Sequence, residues 1–298
     1  MSKLYNPEDA WVSSSLVSVI SRAEVEKCVG STSENLELLS GGQANSNIRI
    51  GNDRVLRLYR RDVAVAGKEL SLLKKAWKSF VVPELIQSGN GFLVTKYMNH
   101  LFLEDTAEMG SALGQALAEI HSNNYTTSGF LGSDLKIEES MDDFVDDMWS
   151  YLCSFMDVPQ KPALPTVLLD EVVAFFDSKI DGLKQAVGPS VLLHGDFKVS
   201  NLRWSDQDKP LVLDWEFAYA GSALMDLGQL FRWPTSQPFE EAFVAAYRAA
   251  GRELPDRWKY EAGILDLINL AGLLYKSAPD SQKAIDIAGK IKSTIQAG

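Results

Sequence analysis

Short strand-like runs fill the first third of this chain, and helix-like segments fill most of the remaining two thirds. The early runs lie at 36–39, 47–50, 55–59 and 92–98 and are separated by turn residues, as in an antiparallel meander. One helix, predicted over 65–79, interrupts them. Strands that cluster first and helices that cluster later are typical of an α+β protein. We expect a small antiparallel-sheet lobe followed by a larger, mostly helical lobe.

Beyond the fourth strand, apolar residues recur at the spacing that builds one buried helix face. These residues are Leu113, Leu117 and Ile120 in a first helix and Met141, Phe144, Val145, Met148, Leu152 and Phe155 in a second. A third helix is predicted over 167–187, and helices resume at Pro238 and continue toward the C-terminus. We therefore divide the chain into residues 1–98, a first lobe with an N-terminal helical extension, and residues 99–298.

Composition narrows the class of protein. The chain has 298 residues and a net charge of -11, which repels nucleic acid phosphates, so we expect no nucleic-acid partner. Its two cysteines, Cys28 and Cys153, lie far apart and are interpreted as free thiols in a reducing compartment. The first residues lack a signal-peptide pattern, and no apolar run is long enough to span a membrane. We expect a cytoplasmic protein without a membrane partner.

One segment, at 191–216, interrupts the helical part of the chain. It contains two short strands, at 202–204 and 211–213, joined by a polar turn. This arrangement predicts that four polar side chains lie close together at the ends of a hairpin. They are Asp196, Asn201, Asp214 and Glu216. Phosphoryl transfer needs such a cluster, because one carboxylate takes the proton of the acceptor hydroxyl and others hold magnesium.

Two motifs in this segment carry a family resemblance. His-Gly-Asp at 194–196 is followed by Asn201 five residues after the Asp, and Asp-Trp-Glu stands at 214–216. Together they resemble the catalytic loop and the metal-binding motif of the aminoglycoside phosphotransferase and choline kinase family, which has a protein-kinase-like two-lobed fold. The resemblance implies that Asp196 is the catalytic base. It also implies that Asn201 and Asp214 bind Mg²⁺ and that Glu216 supports the metal site.

Structural roles are expected for three further residues. His194 is interpreted as orienting the catalytic loop and not as accepting the proton. Asp226 resembles the later aspartate of the family, which supports that loop by hydrogen bonds. His121 is interpreted as a packed histidine at a helix end.

The likeness extends to the first lobe, where a glycine-containing turn resembles the nucleotide-binding loop of the family. The residues implied to contact the nucleotide there are Gly41, Gly42, Ser46 and Asn47. Glycines allow backbone N–H groups to approach phosphate oxygens. Further along, Lys96, Tyr97 and Met98 resemble the hinge whose backbone would bind adenine. The alternatives are an ordinary hairpin turn in the first case and a core strand in the second.

Arg57 stands where protein kinases carry the lysine of their third strand. Glu69, on the next helix, would be its ion-pair partner. Arginine offers a fixed fork to phosphate and cannot lose its charge, so the exchange is chemically reasonable. The alternative is a surface arginine on an edge strand, with Arg60 or Lys68 making the phosphate contact.

The resemblance implies an ATP- and Mg²⁺-dependent phosphotransferase that acts on a hydroxyl group of an aminoglycoside, a choline-like compound or another metabolite. Two alternatives stay open: an inactive nucleotide-binding scaffold, and a metal-dependent phosphoesterase, which would need more metal-binding histidines. An acidic run favours a cationic acceptor, and the alternative is a solvated helix face. The run comprises Asp134, Glu138, Glu139, Asp142, Asp143, Asp146 and Asp147.

Overall fold

The first lobe is built on a five-stranded antiparallel sheet. The computed structural model describes residues 2–11, 20–39, 45–60, 62–154, 166–278 and 280–298. The strands of this sheet are β1 (Leu36–Leu38), β2 (Asn45–Ile50), β3 (Arg54–Tyr59), β4 (Leu85–Gly89) and β5 (Phe92–Lys96). They lie in the order β1-β2-β3-β5-β4, and neighbouring strands run antiparallel. The predicted antiparallel sheet is confirmed, with β4 as an additional strand.

The sheet has a hydrophobic core of its own. Helix α1 (Arg22–Val29) begins at a capping box, in which Ser21 and Glu24 each accept the backbone N–H of the other. Its Val25 packs against apolar side chains from the strands, which alternate between the two faces of the sheet. These are Ile48, Ile50, Leu56, Leu58 and Val94. Helix α2 (Val65–Lys74) packs on the same lobe through Ala66.

The second lobe is mostly helical. Its helices are α3 (Ala107–His121), α4 (Phe144–Ser154), α5 (Thr166–Asp177), α6 (Ile180–Ala186), α7 (Leu224–Leu230), α8 (Gln237–Ala249), α9 (Trp258–Tyr275) and α10 (Gln282–Gln296). Helix α9 is buried along much of its length and packs against α7 and α10, while α3 packs against α8. The separate cores of the two parts confirm the two-lobed α+β fold. Across the described ranges, no helix is both long and apolar enough to cross a membrane.

Within the described residues, the second lobe also contains seven short strands. They are β6 (His100–Leu101), β7 (Gly129–Leu131), β8 (Ile137–Ser140), β9 (Ser190–Leu193), β10 (Leu202–Ser205), β11 (Pro210–Val212) and β12 (Tyr219–Ser222). One sheet has the order β11-β10-β6 and the other β8-β7-β12-β9. β10 and β11 form the predicted hairpin, with Leu202 opposite Val212. The ends of β9 and β11 carry the two sequence motifs.

Helix α2 ends at Lys74, although the apolar pattern extends the prediction to residue 79. Lys75 already has an extended backbone. The indole Nε1 of Trp77 donates to the carbonyl oxygen of Leu72 at 3.1 Å, so a side chain satisfies a carbonyl of the last turn. The chain then leaves the helix and brings Phe80 into the core of the second lobe.

The single helix predicted over 167–187 is two helices, α5 and α6. The hydroxyl of Ser178 donates to the carbonyl oxygen of Phe175 at 2.6 Å and so competes with the helical backbone ladder. The N–H of Lys179 then bonds to the carbonyl of Phe176, which is the tighter spacing of a 3₁₀ turn. Helix α4 begins at Phe144, so Met141, which the predicted apolar stripe included, precedes the helix. Phe155, the last residue of that stripe, lies outside the described residues.

The first residues of the chain pack on the helical lobe, although the division at residue 98 counted them with the sheet. Leu4 is buried in the large core, and its N–H donates to the carbonyl of Leu103 at 2.8 Å. Trp11 donates through Nε1 to Asp286 at 2.8 Å and meets Trp233 edge-on. This N-terminal segment, residues 2–11, is therefore anchored at both ends.

Candidate active site

The backbone of the loop after β9 is held by two side chains of α7. Asp226, which is fully buried, accepts the N–H of His194 through Oδ2 at 2.8 Å and the N–H of Gly195 through Oδ1 at 2.9 Å. Gln229 accepts the N–H of Phe197 at 2.7 Å and donates to the carbonyl of Gly195 at 2.8 Å. Asp226 therefore lies where the sequence predicted it, in contact with the loop it supports.

The central position of the His-Gly-Asp motif has room for glycine alone. Gly195 has φ of +77°, in the left-handed region that side chains disfavour. A Cβ added there would lie 2.1 Å from the carbonyl oxygen of Phe217, which is a backbone atom and cannot rotate away. The loop therefore approaches the segment after Asp214 as closely as two backbones can.

The carboxylate of Asp196 is held from two sides. Its Oδ2 accepts a hydrogen bond from Asn201 Nδ2 at 2.7 Å, and the same nitrogen donates to the Asp196 carbonyl at 2.9 Å. Its Oδ1 lies 3.2 Å from the ammonium nitrogen of Lys198. Each carboxylate oxygen retains a lone pair after one such contact, so the group can still accept a proton. Its side chain is 19% exposed and reachable by a small molecule.

His194 is buried and both of its ring nitrogens are engaged. Nε2 lies 2.9 Å from the carbonyl oxygen of Leu213, and because a carbonyl only accepts, Nε2 carries the proton. Nδ1 then accepts the N–H of Asp196 at 3.3 Å. The ring also packs against Trp215, with centroids 4.6 Å apart. These contacts support the loop-orienting role expected from the sequence.

The hairpin brings Asp214 next to Asn201. The N–H of Leu213 donates to the carbonyl of Asn201 at 3.0 Å, which continues the pairing of β10 with β11. Asp214 has φ of +67° and ψ of +67°, a left-handed conformation that few residues other than glycine adopt. Strained backbone of this kind concentrates at functional sites. Here it turns the chain sharply at the end of β11 into the 3₁₀ helix Trp215–Phe217.

Arg57 joins the two lobes through carboxylates. Its Nη2 lies 2.5 Å from Asp214 Oδ1 and 3.4 Å from Glu216 Oε2, and its Nε lies 3.3 Å from Glu69 Oε2. The Arg57 side chain is 13% exposed. The structure therefore brings together Arg57, Glu69, Asp214 and Glu216, which the sequence analysis selected separately.

The two other cations considered for the phosphate contact have partners elsewhere. Lys68 donates to the carbonyl of Ala218 at 2.6 Å. Arg60 lies 3.4 Å from Glu24 and 3.4 Å from the hydroxyl of Ser46. Arg57 is therefore the better placed of the three to reach a phosphate beside Asp214.

Three carboxylates around one guanidinium leave an excess of negative charge. Burial, together with the neighbouring Asp214, raises the pKa of Glu216 to about 7. Burial also raises the pKa of Glu69, against the opposing effect of Arg57, and Glu69 accepts the hydroxyl of Tyr59 at 2.5 Å. Glu216 accepts a hydrogen bond from Asn45 Nδ2 as well. A further cation at this place would offset the excess charge.

The donor set beside Arg57 fits a magnesium ion. Asn201 donates through Nδ2, which leaves its Oδ1 as a ligand, and Asp214 contacts Arg57 through Oδ1, which leaves Oδ2. Mg²⁺ takes oxygen ligands and is commonly held by one or two protein groups together with substrate phosphates and water. In the described part of the chain, no three acidic, histidine or cysteine side chains form a complete metal cage. A metal site that nucleotide phosphates complete is consistent with the available oxygens of Asn201 and Asp214 and with the lack of a complete cage in the described residues.

Of the residues predicted to bind the nucleotide, Ser46, Asn47, Arg57 and Lys96 lie in strands of the sheet, and Tyr97 and Met98 follow β5 directly. Asn47 of β2 is opposite Arg57, and Ser46 is its neighbour, whereas Gly41 and Gly42 lie outside the described residues. At the hinge, several groups already have partners. The N–H groups of Lys96 and Tyr97 donate to the carbonyls of Glu84 and Asp53. The carbonyl of Met98 lies 2.8 Å from His100 Nδ1. Within the described residues, the Met98 N–H has no backbone partner.

Sequence reasoning missed two residues of the site. Lys198, which contacts Asp196, was not selected, and Asn45, which contacts Glu216, lies in the turn that resembles the nucleotide-binding loop but was not singled out there. The position of Lys198 two residues after Asp196 was the available signal. His121 was correctly interpreted as packed, because it is buried between Tyr247 and Asp226.

Comparison with known families is consistent with this geometry. The model of the APH phosphotransferase enzyme family matches residues 35–261, which include Arg57, Asp196 and Asp214. The chain belongs to this phosphotransferase family. The family match covers the sheet of the first lobe and most of the helical lobe. None of the curated proteins compared gives a significant match to this phosphotransferase.

Solved structures of low sequence identity share the fold of this phosphotransferase. A protein provisionally assigned as a fructosamine-3-kinase from Thermobifida fusca is 17% identical, with a TM-score of 0.68 over 95% of this chain and 100% of that one. The streptomycin–ATP complex of APH(2")-IIa is 15% identical, with a TM-score of 0.65 over 92% and 97%. A choline/ethanolamine kinase family protein from Mesorhizobium loti is 19% identical, with a TM-score of 0.62 over 88% and 87%.

Proposed function

We propose that this phosphotransferase transfers the γ-phosphate of ATP to a hydroxyl group of a small molecule, with Asp196 as the general base. The observation that carries the proposal is the clamped but accessible carboxylate of Asp196, held by Asn201 and Lys198. Family membership supports the reaction class. ATP as donor is supported by the complex of the similar APH(2")-IIa protein.

In the proposed reaction, Asp196 accepts the proton of the acceptor hydroxyl while the oxygen of that hydroxyl forms a bond to the γ-phosphorus. The bond between that phosphorus and the β–γ bridging oxygen breaks, and ADP leaves. Asn201 keeps the carboxylate in one orientation through its Nδ2. A Mg²⁺ ion held by Asn201 and Asp214, with Glu216 nearby, would neutralise charge on the phosphates. Arg57 would offer its guanidinium to a phosphate oxygen.

The nucleotide would lie between the sheet and the catalytic loop. We propose that Ser46 and Asn47, with Gly41 and Gly42 preceding them, face its phosphates, and that Glu69 orients Arg57. Lys96, Tyr97 and Met98 would border the adenine. The Met98 N–H is the donor we expect to bind a ring nitrogen, because the N–H groups of Lys96 and Tyr97 already donate within the chain.

Charge near helix α4 bears on the class of acceptor. Asp143 accepts the N–H groups of Val145 and Asp146, which caps the helix, and Asp146 lies 2.6 Å from Lys184. A cationic acceptor would therefore be attracted by the exposed carboxylates outside these contacts, namely Glu138, Glu139 and Asp142. Its KM should rise with ionic strength, and neutralising these three side chains should remove that dependence. A KM that does not change with ionic strength would indicate that the acidic run is a solvated surface without a role in acceptor binding.

The function is tested by measuring ADP release from ATP, and GDP release from GTP, over a panel of aminoglycosides, amino alcohols, sugars and other hydroxylated metabolites. We expect ADP release that requires both magnesium and a particular acceptor. Nucleotide binding without ADP release above the Asp196→Asn background, for any acceptor, would instead indicate a scaffold. Phosphate release from phosphate esters without nucleotide would indicate a phosphoesterase.

A further inference from the structure

The N-terminal segment brings a carboxylate to the catalytic loop. Glu8 lies in the short 3₁₀ helix Pro7–Ala10, which precedes residue 35, where the family match begins. Its Oε2 lies 3.5 Å from the ammonium nitrogen of Lys198, and its Oε1 lies 3.1 Å from Arg232. The Glu8 side chain is 9% exposed. A segment outside the family match therefore reaches the residue that contacts Asp196.

The position of Glu8 is fixed by the fold. Asn6 caps the 3₁₀ helix by accepting the N–H of Glu8 at 3.3 Å. Leu4 on one side is buried in the large core, and Trp11 on the other side is bonded to Asp286. A carboxylate on a segment anchored at both ends loses little freedom when it pairs, so its contacts can hold a neighbour in place.

Charges alternate from the catalytic loop into the helical core. Asp196 contacts Lys198, Lys198 contacts Glu8, Glu8 contacts Arg232, and Arg232 makes two bonds to Asp266 at 2.7 and 2.8 Å. Arg232 therefore keeps a complete carboxylate partner without Glu8. Without Glu8, Lys198 would have one carboxylate partner left among the described residues, which is Asp196.

We propose that Glu8 is a positioning residue, which holds the ammonium of Lys198 between two carboxylates and thereby sets the orientation of Asp196. The inference rests on the proposed role of Asp196 as the base. Without the Glu8 charge, Lys198 moves onto Asp196 and rotates the carboxylate away from the orientation that Asn201 and Lys198 set together. Proton transfer depends steeply on such geometry, so kcat falls while substrate affinity is retained.

The first test compares Glu8→Gln with Asp9→Asn, a matched loss of one negative charge from the same 3₁₀ helix. Among the contacts of the described residues, Asp9 pairs with Lys3 and Asn6 and not with Lys198. We expect Glu8→Gln to lower kcat about tenfold, with the KM for ATP changed less than twofold. Asp9→Asn should leave both unchanged. A Glu8→Gln variant with the kcat of the wild type contradicts the proposal.

A double-mutant cycle separates positioning from general damage. In a Lys198→Met background, Glu8→Gln should lower kcat less than twofold, because the residue through which it acts is absent. The same tenfold loss in both backgrounds would show that Glu8 acts on the fold and not through Lys198.

A crystal structure of Glu8→Gln gives a readout that does not depend on turnover. The Lys198 ammonium should leave its position between residues 8 and 196 and approach the Asp196 carboxylate. An unmoved Lys198 overturns the proposal, even if the wild type releases no ADP. Absence of ADP release from the wild type would refute the proposed function alone.

Discussion

Asp226→Asn is expected to destabilise the protein and to slow turnover, because this buried carboxylate holds the catalytic loop. Its two oxygens accept the N–H groups of His194 and Gly195, and Oδ2 also lies 3.2 Å from His121 Nε2. Asparagine is nearly the same size but supplies one accepting oxygen. Its NH₂ group would face a backbone N–H, and that buried donor would lose its partner.

The size of the effect follows from these contacts. Losing one hydrogen bond to a charged acceptor costs about 1.5–3 kcal/mol, and leaving a buried N–H unsatisfied costs about 1–3 kcal/mol. We expect a loss of about 3–5 kcal/mol in the free energy of unfolding. At about 2.1 cal/mol/K per residue, the unfolding entropy of 298 residues is about 0.6 kcal/mol/K, so Tm should fall by about 5–8 °C.

Thermal unfolding followed by circular dichroism measures this shift, and Asp206→Asn is the matched control. Asp206 is exposed in the turn between β10 and β11, so its variant should keep the Tm of the wild type. ADP release by Asp226→Asn, measured well below its Tm, should be at least tenfold slower. A Tm within 1 °C of the wild type would refute the stabilising role assigned to the two loop contacts.

Three other substitutions test separate parts of the site. Asp214→Ala should abolish magnesium-dependent ATP binding in calorimetric titrations, and binding equal to that of the wild type would remove Asp214 from the metal site. Arg57→Ala should weaken ATP about tenfold more than adenosine, whereas equal weakening would indicate damage to the first lobe. Glu216→Gln should stabilise the nucleotide-free protein near neutral pH. The folded state raises the pKa of Glu216 to about 7, so the wild type loses stability as pH rises from about 4.5 to 7, and the variant does not. Urea unfolding should show a gain of about 1–3 kcal/mol at pH 8 and none at pH 4; a gain independent of pH would contradict this cause.

Local patterns predicted the elements whose residues interact with close neighbours in sequence. The stripe in α3 and the hairpin of β10 and β11 were found, because apolar spacing and a polar turn specify them. The strands β7, β8 and β12 were not, since each has three or four residues and depends on pairing across the lobe. The break between α5 and α6 coincides with a hydrogen bond from the hydroxyl of Ser178, a side-chain contact that hydrophobic periodicity does not reveal.

The candidate site divides in the same way. Asp196, Asn201 and Asp214 stand in spaced motifs, so the sequence selected them, and Arg57 with Glu69 followed from the resemblance. The contacts of Glu8 with Lys198 and of Asn45 with Glu216 join positions about 170 to 190 residues apart. Contacts at such separations leave no local pattern and are set by the tertiary fold.

Nucleotide binding and turnover measured side by side in Asp196→Asn test the central claim most directly. The variant removes the base and keeps the shape of the side chain, so titration should give the Mg-ATP affinity of the wild type. Turnover with the identified acceptor should fall about a hundred- to ten-thousandfold, or roughly 3–5 kcal/mol of barrier. A variant that binds Mg-ATP normally and retains more than about a third of wild-type turnover would show that Asp196 is not the base.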